Sequence, residues 1–351
     1  MTTTYSPSVF PTFANHLHLP WVIDMTLGGS FVMQAVQVNI DLGLGLAPTP
    51  LWVYELVDGV TGKPMMTMNQ GMSGMIMDVA AGAPSGIYNP IFLASSNVPV
   101  TITWSNQLPI GDHLLPFDPS LMMANMGSMS MGGTSSASQG VFMVPIVTHL
   151  HGSHVAAIYD GYPASAITPG EAVTYTYDNS QPGGLLWYHD HSLGMTRLNV
   201  YAGLAGMYMI QDQNRLDLAA AGVLPSTLGA FDVPLVIQDK AFNSDGTLYY
   251  PAYSTDVLPG TTDTVGDVVP PDYTAGGGQF PTAVPEFFGD TILVNGEAWP
   301  HAHVGQGEVM LDLVNGSDSR FYLLQLDNPN VKVTLLGVDG GLLAHPIVVM
   351  D

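Results

Sequence analysis

Two pairs of alternating histidines carry the chemistry of this chain. His149 and His151 lie in Thr148-His149-Leu150-His151-Gly152, and His189 and His191 in Trp187-Tyr188-His189-Asp190-His191. Both pairs sit in stretches that read as strand. Residues 146–150 are largely β-branched and apolar, and residues 185–188 form a short apolar run leaving a Pro-Gly-Gly turn. Along a strand, residues i and i+2 project from the same face. Each pair therefore aims two imidazoles in one direction, as a rigid sheet does when it offers ligands to a metal or a metal cluster. One pair alone is equally well explained as a polar strand face. Two pairs, each with a glycine close behind, favour a metal.

The elements that must hold these pairs are strands. Residues 51–56 and 98–104 have the apolar, β-branched character of sandwich strands, and residues 172–177 alternate Thr with Val or Tyr. Abundant Gly, Pro, Thr and Val with few helical runs predict an all-β protein built from Greek-key sandwiches. The domain reading is an N-terminal arm or first strand over 1–50, a first domain over 51–213, a short helix or linker over 214–229, and a second domain over 230–351. The helical tendency of the linker rests on Leu216, Leu218, Ala219, Ala220 and Ala221. Residues 254–285, rich in Gly, Pro and Thr, read as a surface loop.

With 6 Lys and Arg against 29 Asp and Glu, the net charge of -23 argues against nucleic acid or an anionic membrane surface as partner. Hydrophobic residues make up 46% of the chain, which sets it apart from disordered acidic sequences. No run of about 18 apolar residues predicts a membrane span, and no basic region followed by an apolar core marks a signal peptide. The scarcity of charge suits an extracytoplasmic setting. Cysteine is absent, so disulfides and thiolate metal sites within the chain are excluded.

The His149-Leu150-His151-Gly152 and Trp187-Tyr188-His189-Asp190-His191 segments resemble the first two copper motifs of multicopper oxidases. The continuation Thr196-Arg197-Leu198-Asn199-Val200-Tyr201-Ala202-Gly203-Leu204-Ala205-Gly206 resembles the bacterial spore-coat laccase and bilirubin-oxidase-like branch. Thr291-Ile292-Leu293-Val294-Asn295-Gly296 and Asp339-Gly340-Gly341-Leu342-Leu343 are similar to second-domain landmarks of that branch. The resemblance implies tandem cupredoxin-like domains, the second incomplete in this chain. It implies copper as cofactor, with His149 on the type 2 copper, His151 and His189 on one type 3 copper, and His191 on the other. Asp160, in Asp160-Gly161-Tyr162-Pro163, holds the position of an Asp that helps deliver protons to the cluster. Its plainer reading is a turn residue before Gly161.

A multicopper oxidase also needs a Cys thiolate in its type 1 copper, carried in a His-Cys-His motif. That motif and a preceding His-x-His are missing here. The expectation is therefore the N-terminal chain of a laccase-like oxidase that reduces dioxygen to water. A second polypeptide would complete it, and a small reducing substrate or metal ion would supply electrons near the type 1 copper. A non-enzymatic Cu(I)-handling protein is an alternative. It would use the thioethers of Met65, Met66, Met68, Met72, Met75 and Met77, and of Met122, Met123, Met126, Met129 and Met131. A structural cupredoxin-fold protein is another. Two further alternating pairs have no copper role in the family: His16 with His18, and His301 with His303. The latter reads as a solvent-facing or interface pair, and His154 departs from the branch without an assigned role.

Overall fold

A computed structural model describes residues 12–65, 89–117, 142–229, 231–268 and 286–350. Both methionine-rich clusters lie outside the described residues, apart from Met65, which is exposed.

Nine strands build the first unit: β1 (Val22–Met25), β2 (Gly29–Ile40), β3 (Thr49–Val57), β4 (Ile91–Ser95), β5 (Val100–Asn106), β6 (Thr148–His151), β7 (Ala172–Tyr177), β8 (Gly184–Asp190) and β9 (Ala205–Gln211). They form a four-stranded sheet in the order β3-β2-β5-β7 and a five-stranded sheet in the order β1-β4-β9-β8-β6. Parallel pairing of β2 with β5, β1 with β4 and β4 with β9 joins strands distant in sequence, as Greek-key crossovers do. The cause is alternation. Val100, Ile102 and Trp104 of β5 and Tyr175 and Tyr177 of β7 point inward. Their neighbours Thr103 and Thr174 pair outside through hydroxyls 2.9 Å apart. The inner faces meet in an aromatic core in which Phe92 stacks on Tyr188 with centroids 4.6 Å apart. Trp104 Nε1 donates to Tyr177 Oη at 3.1 Å, satisfying the polar tip of a buried indole. Each such fully buried side chain stabilises the fold by roughly 1.5–3 kcal/mol.

Residues 22–40, within the stretch read from sequence as an N-terminal arm or first strand, supply β1 and β2, one strand to each sheet. Their apolar residues Met25, Met33 and Ala35 are wholly buried, and β2 is paired on both sides. They belong to the sandwich.

The second unit is centred on β10 (Asp232–Phe242). It pairs with β11 (Leu248–Tyr249) and β12 (Thr291–Val294), and runs parallel to β14 (Met310–Asn315); β13 (Glu297–Ala298) extends β12. β15 (Val333–Val338) and β16 (Gly341–Met350) form a separate hairpin whose tip packs against Gly183 and Gly184 at the start of β8. In the stretch read as a surface loop, residues 265–268 make a helical turn and Val265 is buried. The two units share a second apolar core. β3 is buried on both faces: Trp52 and Tyr54 enter the first core, while Leu51 and Val53 pack in the second with Leu198, Tyr201, Phe242, Tyr250, Phe287 and Leu293.

The connection between the units contains the helix Gln213–Ala220, N-capped by Asp212, whose Oδ1 accepts from the Arg215 amide at 2.9 Å. Its buried residue is Arg215, while Leu216 is exposed. Arg215 Nη2 lies 2.6 Å from Asp232 Oδ2 and 3.9 Å from Asp312 Oδ2, so one guanidinium faces two carboxylates, the buried Asp232 of β10 and the half-buried Asp312 of β14. Burial, reinforced by the neighbouring Asp232, raises the Asp312 pKa. An unfolded aspartate loses its proton near pH 4, whereas folded Asp312 keeps it higher. Its contribution is therefore complete at low pH and is lost as pH rises toward the folded pKa. Between about pH 5 and about pH 8, the Tm of the wild type should fall relative to that of Asp312→Asn. Parallel curves would assign the pH dependence elsewhere.

Candidate metal centre

β6 and β8 are antiparallel neighbours with Thr148 opposite Asp190, His149 opposite His189, Leu150 opposite Tyr188 and His151 opposite Trp187. The His191 amide continues the ladder by donating to Val147 O at 2.7 Å. Side chains alternate, so Val147, His149 and His151 share one face with His191, His189 and Trp187. Leu150, Tyr188, Thr148 and Asp190 share the opposite, buried face. The four histidines read from the sequence are thus brought together. The His149 ring is the hub, with centroids 5.6 Å from His151, 5.4 Å from His189 and 5.1 Å from His191. One ligand nitrogen from each of His149, His151 and His189 lies within 4.8 Å of the others. His191 stands outside that triad, and its Nδ1 is buried without a hydrogen-bond partner.

Two main-chain carbonyls set the tautomers. His149 Nδ1 donates to Asp160 O at 2.5 Å and His189 Nδ1 donates to Asp190 O at 2.7 Å. A carbonyl only accepts, so each Nδ1 carries the proton and each Nε2 bears the lone pair a metal would take, that of His189 lying 3.4 Å from His151 Nδ1. Burial pushes the His189 pKa down to about 3 and also lowers that of His151, so both imidazoles are neutral at neutral pH. His189 is stacked on Trp187, with centroids 4.0 Å apart. Neutral imidazoles whose nitrogens converge, together with the orphaned nitrogen of His191, are a donor set that fits copper.

Behind the histidines lies a layer that motif reading missed. Asp190 is fully buried, and its carboxylate accepts from Val147 N at 2.8 Å, Ser192 N at 3.1 Å, Ser192 Oγ at 2.9 Å and Asn199 Nδ2 at 2.9 Å. Burial nevertheless raises its pKa to about 6. Asn199, on the helix Thr196–Ala202, also donates to Pro145 O at 3.0 Å and accepts from His113 Nε2 at 3.0 Å. His113 Nδ1 accepts from the Leu115 amide, which fixes that tautomer, and burial holds its pKa down at about 4. The available signal was the alternation itself. A residue between two same-face histidines must point into the core, where a carboxylate requires donors.

Asp160 follows the 3-10 turn Ala157–Tyr159 and touches the cluster twice. Its carbonyl orients His149, and its half-exposed carboxylate places Oδ1 3.4 Å from His149 Nδ1. His154 is exposed in the preceding loop, with its amide donating to Gln181. His301 is half-buried against His16, with centroids 4.5 Å apart, and His303 is exposed.

Residues 142–215, which contain all four histidines, match the family model for multicopper oxidases. The chain is 36% identical to a laccase of Bacillus stratosphericus over 266 residues, covering 74% of this chain and 45% of that protein. A laccase of Bacillus subtilis is 35% identical with the same coverage. The chain belongs to the multicopper oxidase family. It spans about half the length of the curated relatives it matches. The fold agrees. McoA multicopper oxidase of Aquifex aeolicus superposes with a TM-score of 0.61 at 23% identity, covering 96% of this chain and 54% of that one. A laccase from Pediococcus acidilactici gives 0.62 at 21%, covering 97% and 54%. The cupredoxin-like all-β architecture of this multicopper oxidase chain is thereby established.

Gly161 makes the approach of Asp160 to His149 possible. Its φ is +74°, and a Cβ there would run into the Thr148 carbonyl oxygen at the start of β6. Gly161→Ala should destabilise the chain by more than about 1 kcal/mol and weaken Cu(II) retention, as the Asp160 carbonyl is pushed off His149. Thermal melts with and without Cu(II) read both effects. An unchanged Tm would show that this close packing is dispensable.

Proposed function

We propose that this chain supplies half of the oxygen-reducing copper centre of a laccase-like multicopper oxidase. The observation that supports it most is the register of β6 on β8, which sets His149 against His189 with His151 and His191 on the same face. His149 would hold the type 2 copper, His151 and His189 one type 3 copper, and His191 the other. Copper bound there supplies one-electron redox chemistry for the four-electron reduction of dioxygen to water. The carbonyls of Asp160 and Asp190 orient the imidazoles, and the layer behind Asp190 keeps the two strands in register.

The Asp160 carboxylate, beside the cluster and open to solvent, holds and passes protons during oxygen reduction. The remaining ligands, including the Cys of a type 1 copper, lie outside these 351 residues, on a polypeptide segment carrying His-x-His and His-Cys-His motifs. Phe321, Leu323, Leu324, Val338 and Val348, each more than half exposed, supply an apolar surface for such a partner to cover. The reductant, a small organic molecule or metal ion, docks near the type 1 copper. An extracytoplasmic setting suits the scarcity of charge in the chain, 10% of its residues. No helix among the described residues is long and apolar enough to cross a membrane.

Native purification with copper and the complementary polypeptide, followed by oxygen-uptake assays, tests this reading. The assembled protein should consume oxygen with a laccase reductant, and His189→Gln should abolish uptake along with the copper. Absence of uptake by a copper-loaded assembly would sink it. Asp160→Asn separates the two roles of that residue, because the orienting carbonyl survives the substitution. Copper content should be retained while kcat falls by about 10²-fold or more. Full turnover in this variant would leave Asp160 a turn residue only.

A further inference from the structure

A second histidine cluster lies away from the candidate copper centre, between the N-terminal segment and the second unit. His16 and His301 are held as neighbours by backbone pairing. The His301 amide donates to Asn15 O at 2.8 Å and the Leu17 amide donates to His301 O at 2.8 Å, forming a parallel bridge between the two histidines. The Phe13 amide donates to Trp299 O at 2.9 Å, and Asn15 Nδ2 donates to Gly43 O and Ala298 O, each at 3.0 Å. Trp299 adopts a φ of +38°, a conformation that bulky residues rarely hold without surrounding structure to impose it. The segment that ends at His301 is therefore fixed from several directions.

Within this frame, the rings of His16 and His301 have centroids 4.5 Å apart at an interplanar angle of 44°. His303 follows with its centroid 5.4 Å from His301, the same separation as between His149 and His189. His303 is exposed, so its ring can turn about its side-chain torsions toward the other two. Two imidazoles sharing one ion about 2.0–2.1 Å from each nitrogen bring their rings to roughly this range. The Nδ1 atoms of both His16 and His301 are buried and have no hydrogen-bond partner. Leaving a polar atom buried in that state is destabilising, and a bound cation relieves it. Glu297 does not compete for the role. Its buried carboxylate is engaged by His18, with Nδ1 3.2 Å from Oε2.

We propose that His16, His301 and His303 form a second transition-metal site, taking a borderline divalent cation such as Zn(II) or Cu(II) and clamping the N-terminal segment to the second unit. Imidazole-only donors select such ions over Mg(II) or Ca(II), which require oxygen ligands. The site needs none of the four histidines on β6 and β8. It is therefore independent of the oxidase reading, and its failure leaves that reading intact.

Zn(II) titration of the full chain, read by calorimetry and by Tm, tests the proposal in a His149→Gln/His189→Gln background that disables the first cluster. One equivalent of Zn(II) should still bind and raise Tm. His301→Gln should remove that equivalent. His303→Gln, on an exposed residue, should leave the metal-free Tm unchanged and weaken binding by about tenfold or more. The exposed variant keeps the test decisive if His301→Gln fails to fold. Zn(II) binding that is absent from the background protein, or unaffected by His303→Gln, would overturn the proposal.

Discussion

The register between β6 and β8 is the constraint on which the rest depends. A strand alternates its side chains, so a slip of one residue would turn His149 and His151 into the core and bring Leu150 to the metal-facing side. The pairing of His149 with His189 and of Thr148 with Asp190 prevents this from both faces. On one side the imidazoles and Trp187 pack ring against ring. On the other, Leu150 and Tyr188 enter the aromatic core with Phe92 and Trp104.

That register is reinforced by a buried carboxylate. Asp190 would be costly in an apolar interior without partners, yet four donors from three segments converge on it. They tie the residue preceding β6, the turn after β8 and the helix Thr196–Ala202 into one unit. The chain of bonds from His113 through Asn199 to Asp190 is satisfied at each link, which is the condition for a buried polar network to add rigidity. The ligands thus rest on a polar scaffold whose carboxylate lies on the opposite, buried face of the two strands.

The two units are joined in a similar way. Because β3 is buried on both faces, it belongs to two cores at once. Around it, Tyr201 Oη accepts from the Ala241 amide at 2.7 Å and donates to Tyr249 O at 2.9 Å, while Lys240 Nζ donates to Tyr201 O at 2.5 Å. Burial brings the Lys240 pKa down to about 8. The helix bearing Asn199 also bears Tyr201, so the segment that braces the candidate copper centre is the one that docks the second unit.

The sequence by itself determined the all-β class, the four histidines and their shared direction within each pair, since period-two alternation is a local property of the chain. It also offered residues 214–229 as a short helix or linker, from leucines and alanines rather than from the Asp212 cap and the buried Arg215 that hold the helix Gln213–Ala220. Only the tertiary structure decided that the two pairs face each other, because cross-strand register depends on contacts between segments about forty residues apart. The same holds for the carbonyls of Asp160 and Asp190 as orienting groups, and for the strands drawn from residues 22–40. It holds equally for the meeting of His16 with His301. Backbone acceptors carry no signature in residue type, and two segments at opposite ends of a chain become neighbours only when the sheets between them have folded.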